Sequence, residues 1–242
     1  MKRVLLLLLL LFGIFAAHQL TAATYVVAVG VSNYQHISDL LLPEKDAKAI
    51  AELYQTKTEN VILITGRYAT KERIMNAIKS QFSRATSSDE IIFSFSGHGY
   101  PGGICPYDIK EEKDGISYKE ILNVFKQSRA KKKVIFADAC FSGGLRTSGK
   151  PNNQAIKKAD VLLFLSSRSG ETSIESPFMS NGFFTTYLLR GLRGGADTDR
   201  NRRITARELF NYVSTCVKDK SNNRQHPVMW GRFKDDFVVI EW

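Results

Sequence analysis

Two short apolar runs end on residues that can do chemistry. "FSFSGHGY" (residues 93–100) delivers His98 between glycines, and "DACFSGG" (residues 138–144) delivers Cys140 with an aspartate two places before it. A cysteine thiol titrates near about 8.5 and is mostly protonated at neutral pH. To act as a hydrolytic nucleophile it therefore needs an imidazole to take its proton. His98 can do this as general base, and can return the proton as general acid. Acyl transfer also needs N–H donors for the oxyanion of the tetrahedral intermediate, and a glycine lets a substrate approach the backbone closely. Gly99 N–H and Cys140 N–H are the candidate donors. Each block alone reads as a turn histidine or a core cysteine, whereas together, at successive strand ends, they favour a Cys140–His98 dyad. No Asn or Asp stands out as an orienter for His98, which leaves that role to a backbone carbonyl or to nothing.

Asp138 does not fit an activating role. A carboxylate so near a nucleophilic thiol raises the thiol pKa and hinders thiolate formation. At the mouth of a cleft it suits a cationic ligand, and an Arg or Lys side chain of a substrate fits that description. The other reading is that Asp138 caps a loop.

These residues need a scaffold that brings two strand ends to one edge. Strand-like runs at 25–31, 60–65, 90–96, 133–138, 160–166 and within 237–241 alternate with helical patterns at 44–55, 70–84, 117–127, 181–193 and 205–218. Such alternation predicts an α/β fold with a mostly parallel six-stranded sheet between two helix layers. Ligands of such sheets bind beyond the carboxyl ends of the strands, where His98 and Cys140 lie. Ser117 with Glu120, and Thr205 with Glu208, have capping-box spacing.

The chain has 242 residues and a formal charge of +10. Lys2 and Arg3 precede an uncharged, leucine-rich run from 4 to 17, then the small residues Thr21, Ala22 and Ala23. A spanning helix needs roughly 20 apolar residues, so this reads as a removable export signal over 1–23, cut after Ala23. Residues 24–242 are then one domain, exported to the periplasm or beyond, with no stable membrane insertion. The basic residues are scattered and form no basic-aromatic stripe, so nucleic acid is not an expected partner. Cys216 shares a helical apolar face with Leu209, Val213 and Val217 and reads as a buried inert thiol. A Cys105–Cys216 disulfide stays open as an alternative, with Cys140 then the remaining thiol.

With these residues in view, the chain resembles the caspase-like cysteine peptidases, and specifically their metacaspase branch. The caspase signature Q-A-C-[RQG]-G is not matched literally. "SGHG" (96–99) and "DACFSGG" look like the metacaspase forms of the two catalytic blocks. "VAVGVSNY" (27–34) and "LLPEKDAKAIAELY" (41–54) resemble the family's opening strand and first helix. "RGLRGGADTDRNRRITARELFNYV" (190–213) and "QHPVMWGRF" (225–233) resemble its closing segments. The resemblance implies a caspase-type three-layer α/β/α sandwich, the Cys140–His98 dyad, and cleavage after Arg or Lys. It also implies that Asp46 and Asp138 line the first specificity pocket with Ser96 beside them. By itself Asp46 reads as a first-turn residue complementing a helix dipole.

Many metacaspases bind calcium through acids whose counterparts here fall in "DGISYKE" and "GGLRTSG", where Thr147 stands about where an acid is wanted. "DTDRNRRITARE" places Asp197, Asp199, Asn201 and Glu208 at EF-hand positions 1, 3, 5 and 12, yet Arg202 replaces the glycine of position 6. A solvated turn feeding a capped helix is the expectation there, and no metal or other cofactor is expected. The reading carried forward is a monomeric cysteine endopeptidase acting on polypeptides with basic residues. It is expected to cut itself in the 142–158 loop, at Arg146, Lys157 or Lys158, with Lys150 disfavoured by Pro151. Two rivals stay open: a non-catalytic interaction module on the caspase fold, and a thiol hydrolase acting on a cationic small molecule.

Overall fold

Valine- and isoleucine-rich runs buried on both sides require helices on both faces of a sheet, and the chain supplies them. The computed structural model describes residues 22–139, 160–167, 180–231, 234 and 236–242. Residues 4–17, read as the core of an export signal, Cys140, and residues 142–158 with Arg146, Lys157 and Lys158 lie outside the described residues. The first half of the fold comprises β1 (Thr24–Gly30), α1 (Pro43–Gln55), β2 (Val61–Thr65), α2 (Lys71–Ser83), β3 (Glu90–Gly97), β4 (Gly99–Tyr100), β5 (Gly103–Ile104), β6 (Ile116–Ser117) and α3 (Tyr118–Gln127). Then follow β7 (Lys132–Ala139), β8 (Leu162–Leu165), α4 (Phe183–Arg190), β9 (Arg203–Thr205), α5 (Ala206–Lys220), β10 (Val228–Trp230) and β11 (Val238–Glu241).

The main sheet has the order β10-β8-β7-β3-β1-β2, parallel throughout except for β10, which runs antiparallel to β8. Alternation along the strands sorts the core into two layers. Val27, Val29, Phe93 and Phe95 pack with Ile74 and Ile78 of α2 and Phe125 of α3. Val26, Ala28, Ile92 and Phe136 pack with Ile50 of α1, Leu188 of α4 and Leu209 and Val213 of α5. This is the expected three-layer α/β/α arrangement. Among the described residues no helix is long and apolar enough to cross a membrane.

Both expected capping boxes form. Ser117 Oγ accepts from Glu120 N while the Glu120 carboxylate accepts from Ser117 N, and Thr205 and Glu208 repeat the exchange at α5.

The sixth strand of the main sheet corrects the sequence reading. Residues 237–241 were expected there, but β11 pairs with β9 in a separate two-stranded ribbon, and β10 takes the sheet edge. The fully buried Gln225 donates from Nε2 to the Ser166 carbonyl and docks residues 228–230 beside β8, a tertiary choice that local pattern cannot make. The helix expected over 181–193 begins at Phe183, because Asn181 and Gly182 are engaged elsewhere, and widens over Gly191–Gly195, where Gly194 has a φ of 111°. Cys105 and Cys216 pack on opposite faces of the sheet, so they do not pair with each other. Cys216 is half-buried, not buried, since Leu209, Val213 and Val217 take the inner face of α5.

Candidate active site

Strand register builds one wall of the site. β3 and β7 pair with Ser96 beside Asp138 and Gly97 beside Ala139. Because Phe95 and Ala137 face the α2–α3 layer, their neighbours Ser96 and Asp138 face α1 and α4. The next residue after Gly97 is His98, and the next after Ala139 is Cys140, which lies outside the described residues.

The opposite wall comes from the start of α1. Pro43 sits in the first turn, where its missing N–H costs nothing. A side chain at Gly30 would overlap the Pro43 carbonyl and press on Ala47, so glycine at this position lets the helix close on β1. That approach carries Asp46 down to the strand ends, where it is only 2% exposed. Ser96 Oγ donates to Asp46 Oδ2 at 2.8 Å. Asn181 Nδ2 and Gly182 N–H donate to Asp46 Oδ1 at 2.8 and 3.1 Å. Asp138 Oδ2 accepts from Thr185 Oγ1 at 2.9 Å and from Thr185 N–H at 3.3 Å. Burial, and then the charge of Asp138, push the Asp46 carboxyl up to about 8, although its hydrogen bonds to Asn181, Ser96 and Gly182 pull the other way. The fold thus brings Asp46, Ser96 and Asp138 close together. Asp138 also accepts from the first turn of α4, which is the capping role of the other reading of that residue.

His98 is half-buried just past β3. Its N–H donates to Tyr34 Oη at 2.7 Å, and its ring lies 5.0 Å from the Tyr34 ring. His98 Nε2 lies 2.9 Å from the Ser38 carbonyl oxygen. A carbonyl only accepts, so Nε2 carries the hydrogen and Nδ1 of the neutral ring is the proton acceptor. The orienting group is a backbone carbonyl, one of the two options the sequence left open.

Gly99 pairs with Ile104, and Cys105 N–H donates to the His98 carbonyl. This makes Gly99 a non-hydrogen-bonded position of the β4–β5 ladder, with its N–H directed away from β5. The last turn of β7 is braced from below. Ala139 N–H donates to Ser166 Oγ at 3.2 Å, and the buried Ser166 is held in turn by Gln225.

Sequence reasoning missed Tyr34, Ser38, Ser166, Asn181, Thr185 and Gln225. An Asn-Gly pair before an apolar-periodic run is a recognisable helix-start signal, but the partner it engages is 135 residues away. Ser38 acts through its main chain, for which no side-chain signal exists.

The acids of the calcium-like segments have protein partners. Glu120 accepts from Ser117 and pairs with Lys71 at 3.2 Å, and Asp114 accepts from Glu111 N–H. Among the described residues these two acids do not converge with a third metal-ligating group. Asp197, Asp199 and Glu208 do converge, with carboxylate oxygens within 4.8 Å of one another. Arg202 adopts a φ of 63°, the left-handed conformation usual for glycine at that loop position. Asn201 and Arg202 N–H groups donate to the two aspartates, and Thr198 and Thr205 donate to Glu208. The segment is a turn feeding a capped helix.

Compared with known proteins, residues 23–238 match the model of the caspase domain family. Among curated protein sequences, no relative matches. Among solved structures, a protein of Geobacter sulfurreducens is similar with a TM-score of 0.67 at 17% identity, over 90% of this chain and 97% of that one. At that identity the likeness speaks to fold alone.

Proposed function

This chain belongs to the caspase domain family of cysteine peptidases, and on that premise we propose that it is an endopeptidase cleaving peptide bonds after Arg or Lys. The observation that carries the reading is the β3–β7 register. It sets Gly97 beside Ala139 on adjacent parallel strands, and the next residues in the chain are His98 and Cys140. The same register puts Ser96 beside Asp138, within reach of Asp46.

In this mechanism the Cys140 sulfur attacks the scissile carbonyl carbon as its proton passes to His98 Nδ1. Gly99 N–H and Cys140 N–H receive the oxyanion, whose collapse breaks the C–N bond. The leaving amine takes the proton from His98, and water then hydrolyses the thioester with His98 again as base. Ser38 holds the imidazole in the required tautomer through its carbonyl. Asp46 and Asp138 receive the guanidinium or ammonium group of the residue before the cut.

The enzyme acts as a monomer and is exported after loss of residues 1–23; the basic start, the short apolar run and Ala23 support the export. It also cuts its own 142–158 loop at Arg146, Lys157 or Lys158. Cleavage of short peptide amides with Arg, Lys or Asp before the bond tests the reading. Arg and Lys substrates are expected to be cut and Asp substrates to be rejected by roughly 10⁴-fold in kcat/KM, since a charged pocket left unpaired is costly. Equal cleavage of all three, or none by wild type, would end it. Intact mass of wild type against Cys140→Ala after incubation reads self-processing.

A further inference from the structure

The two carboxylates of the basic-residue pocket share one support, the start of α4. Asn181 Nδ2 and Gly182 N–H both point at Asp46 Oδ1, and Thr185 donates twice to Asp138 Oδ2. Gly182 lies between the two acids. A methyl group on its Cα would sit 2.9 Å from Asp138 Oδ2 and 3.4 Å from Asp46 Oδ2, so these oxygens flank one point. Asp46 Oδ1 meets N–H donors that cannot reverse. Asp46 Oδ2 meets the Ser96 hydroxyl, which can donate or accept, and so is the oxygen able to carry a hydrogen. A helix N-terminus favours one negative charge. A second charge beside it, out of water, is opposed by burial and by repulsion.

We propose that Asn181, Gly182 and Thr185 are positioning residues that hold Asp46 and Asp138 as one proton-sharing pair, and that an entering guanidinium or ammonium group displaces the shared proton into solvent. The proposal rests on the pocket's role as the site for a basic side chain. On binding, the Asp46 Oδ2–H bond breaks, the proton passes to buffer, and the cation faces two carboxylates in place of one. The charged groups on the elements around Asp46 are Glu44, Lys45, Lys48 and Glu52 of α1, Glu90 of β3, Lys132, Lys133 and Asp138 of β7, and Arg190 at the far end of α4. Of these, Asp138 is the one that moves the Asp46 carboxyl, which stands at about 8. Proton release therefore approaches one per cation bound well below that pH and vanishes above it.

The test is calorimetric titration of the full Cys140→Ala chain with a tetrapeptide ending in arginine amide. It is done in two buffers of different ionisation enthalpy, at pH 6.5 and pH 9.5. Close to one proton released at pH 6.5, and close to none at pH 9.5, is expected. Tight binding without buffer dependence at pH 6.5 would overturn the shared proton while leaving the specificity reading intact. Absence of binding at both pH values would overturn the specificity reading and the inference with it. In the same background Thr185→Val removes a hydroxyl donor from Asp138 and should move the pH at which release disappears upward by about one unit. Thr185→Ser should restore it. A limb unmoved by Thr185→Val would remove Thr185 from the positioning role, and one moved equally by Thr185→Ser would do the same.

Discussion

Asp46 and Glu208 both sit in the first turn of a helix, and each belongs to a cluster of acids. Burial works against the charge of Glu208 too, but donors from Thr205 and Thr198 outweigh it and hold that carboxyl below its usual range. Its cluster lies on an exposed loop whose own N–H and O–H groups engage both oxygens. Asp46 is buried and stands near the charge of Asp138, and these raise its proton affinity against the pull of its donors, Ser96 at Oδ2 among them. The same functional group is thus held charged where donors of its own segment outweigh burial, and is pushed toward its protonated form where burial and a neighbouring acid outweigh donors from distant segments. Net acidity of a cluster says little about its use. The donors around each oxygen say much more.

The comparison can be broken by variants that should separate function from stability. The largest effect is expected for His98→Ala, with a loss of about 10³-fold or more in kcat/KM and an unchanged unfolding midpoint. Retained cleavage would place the base elsewhere. Next, Asp138→Ala should lower kcat/KM for arginine amides by about 10²-fold, since it removes one of two charges facing the cation. Intact arginine cleavage would remove this carboxylate from the pocket.

The pH dependence of stability sharpens the contrast. A carboxyl whose folded pKa lies above the unfolded value of about 3.8 favours the folded state below that value, and this advantage is lost as pH rises toward about 8. Asn at position 46 mimics the protonated acid, with its oxygen toward Asn181 and Gly182 and its amide toward Ser96. Thermal unfolding should therefore show Asp46→Asn gaining on wild type between pH 5 and pH 8.5, while cleavage of arginine substrates falls. A constant difference across that range would contradict the buried acid pair. The smallest effect belongs to the other cluster. Thr205→Ala removes the side-chain cap of α5 and should cost about 1 kcal/mol of stability, with kcat/KM within about twofold of wild type. A larger loss of activity would tie that loop to the active site.

Much of this architecture was legible locally. Continuous apolar runs marked the five parallel strands, Ser-x-x-Glu and Thr-x-x-Glu spacing marked two helix starts, and the motif blocks placed His98 and Cys140 after strand-like runs. Those signals work because strand period, capping and chain reversal are settled within a few residues. Proximity is not local. Asp46 was credible as a pocket residue through family resemblance, and by itself read as a dipole-complementing acid. The edge strand was misassigned because 228–230 and 237–241 are both short apolar runs, and the buried Gln225–Ser166 hydrogen bond chose between them.

What the sequence determined by itself was which residues end which elements, since alternation and capping depend on neighbours along the chain. What only the tertiary structure decided was who meets whom at those ends. Ser96 lies beside Asp138 because β3 and β7 pair in one register, Asp46 reaches them because Gly30 lets α1 close on β1, and the Ser38 carbonyl meets His98 across 60 residues. Those encounters are set by how two packed layers fit against one sheet, a constraint that no single segment of the chain carries.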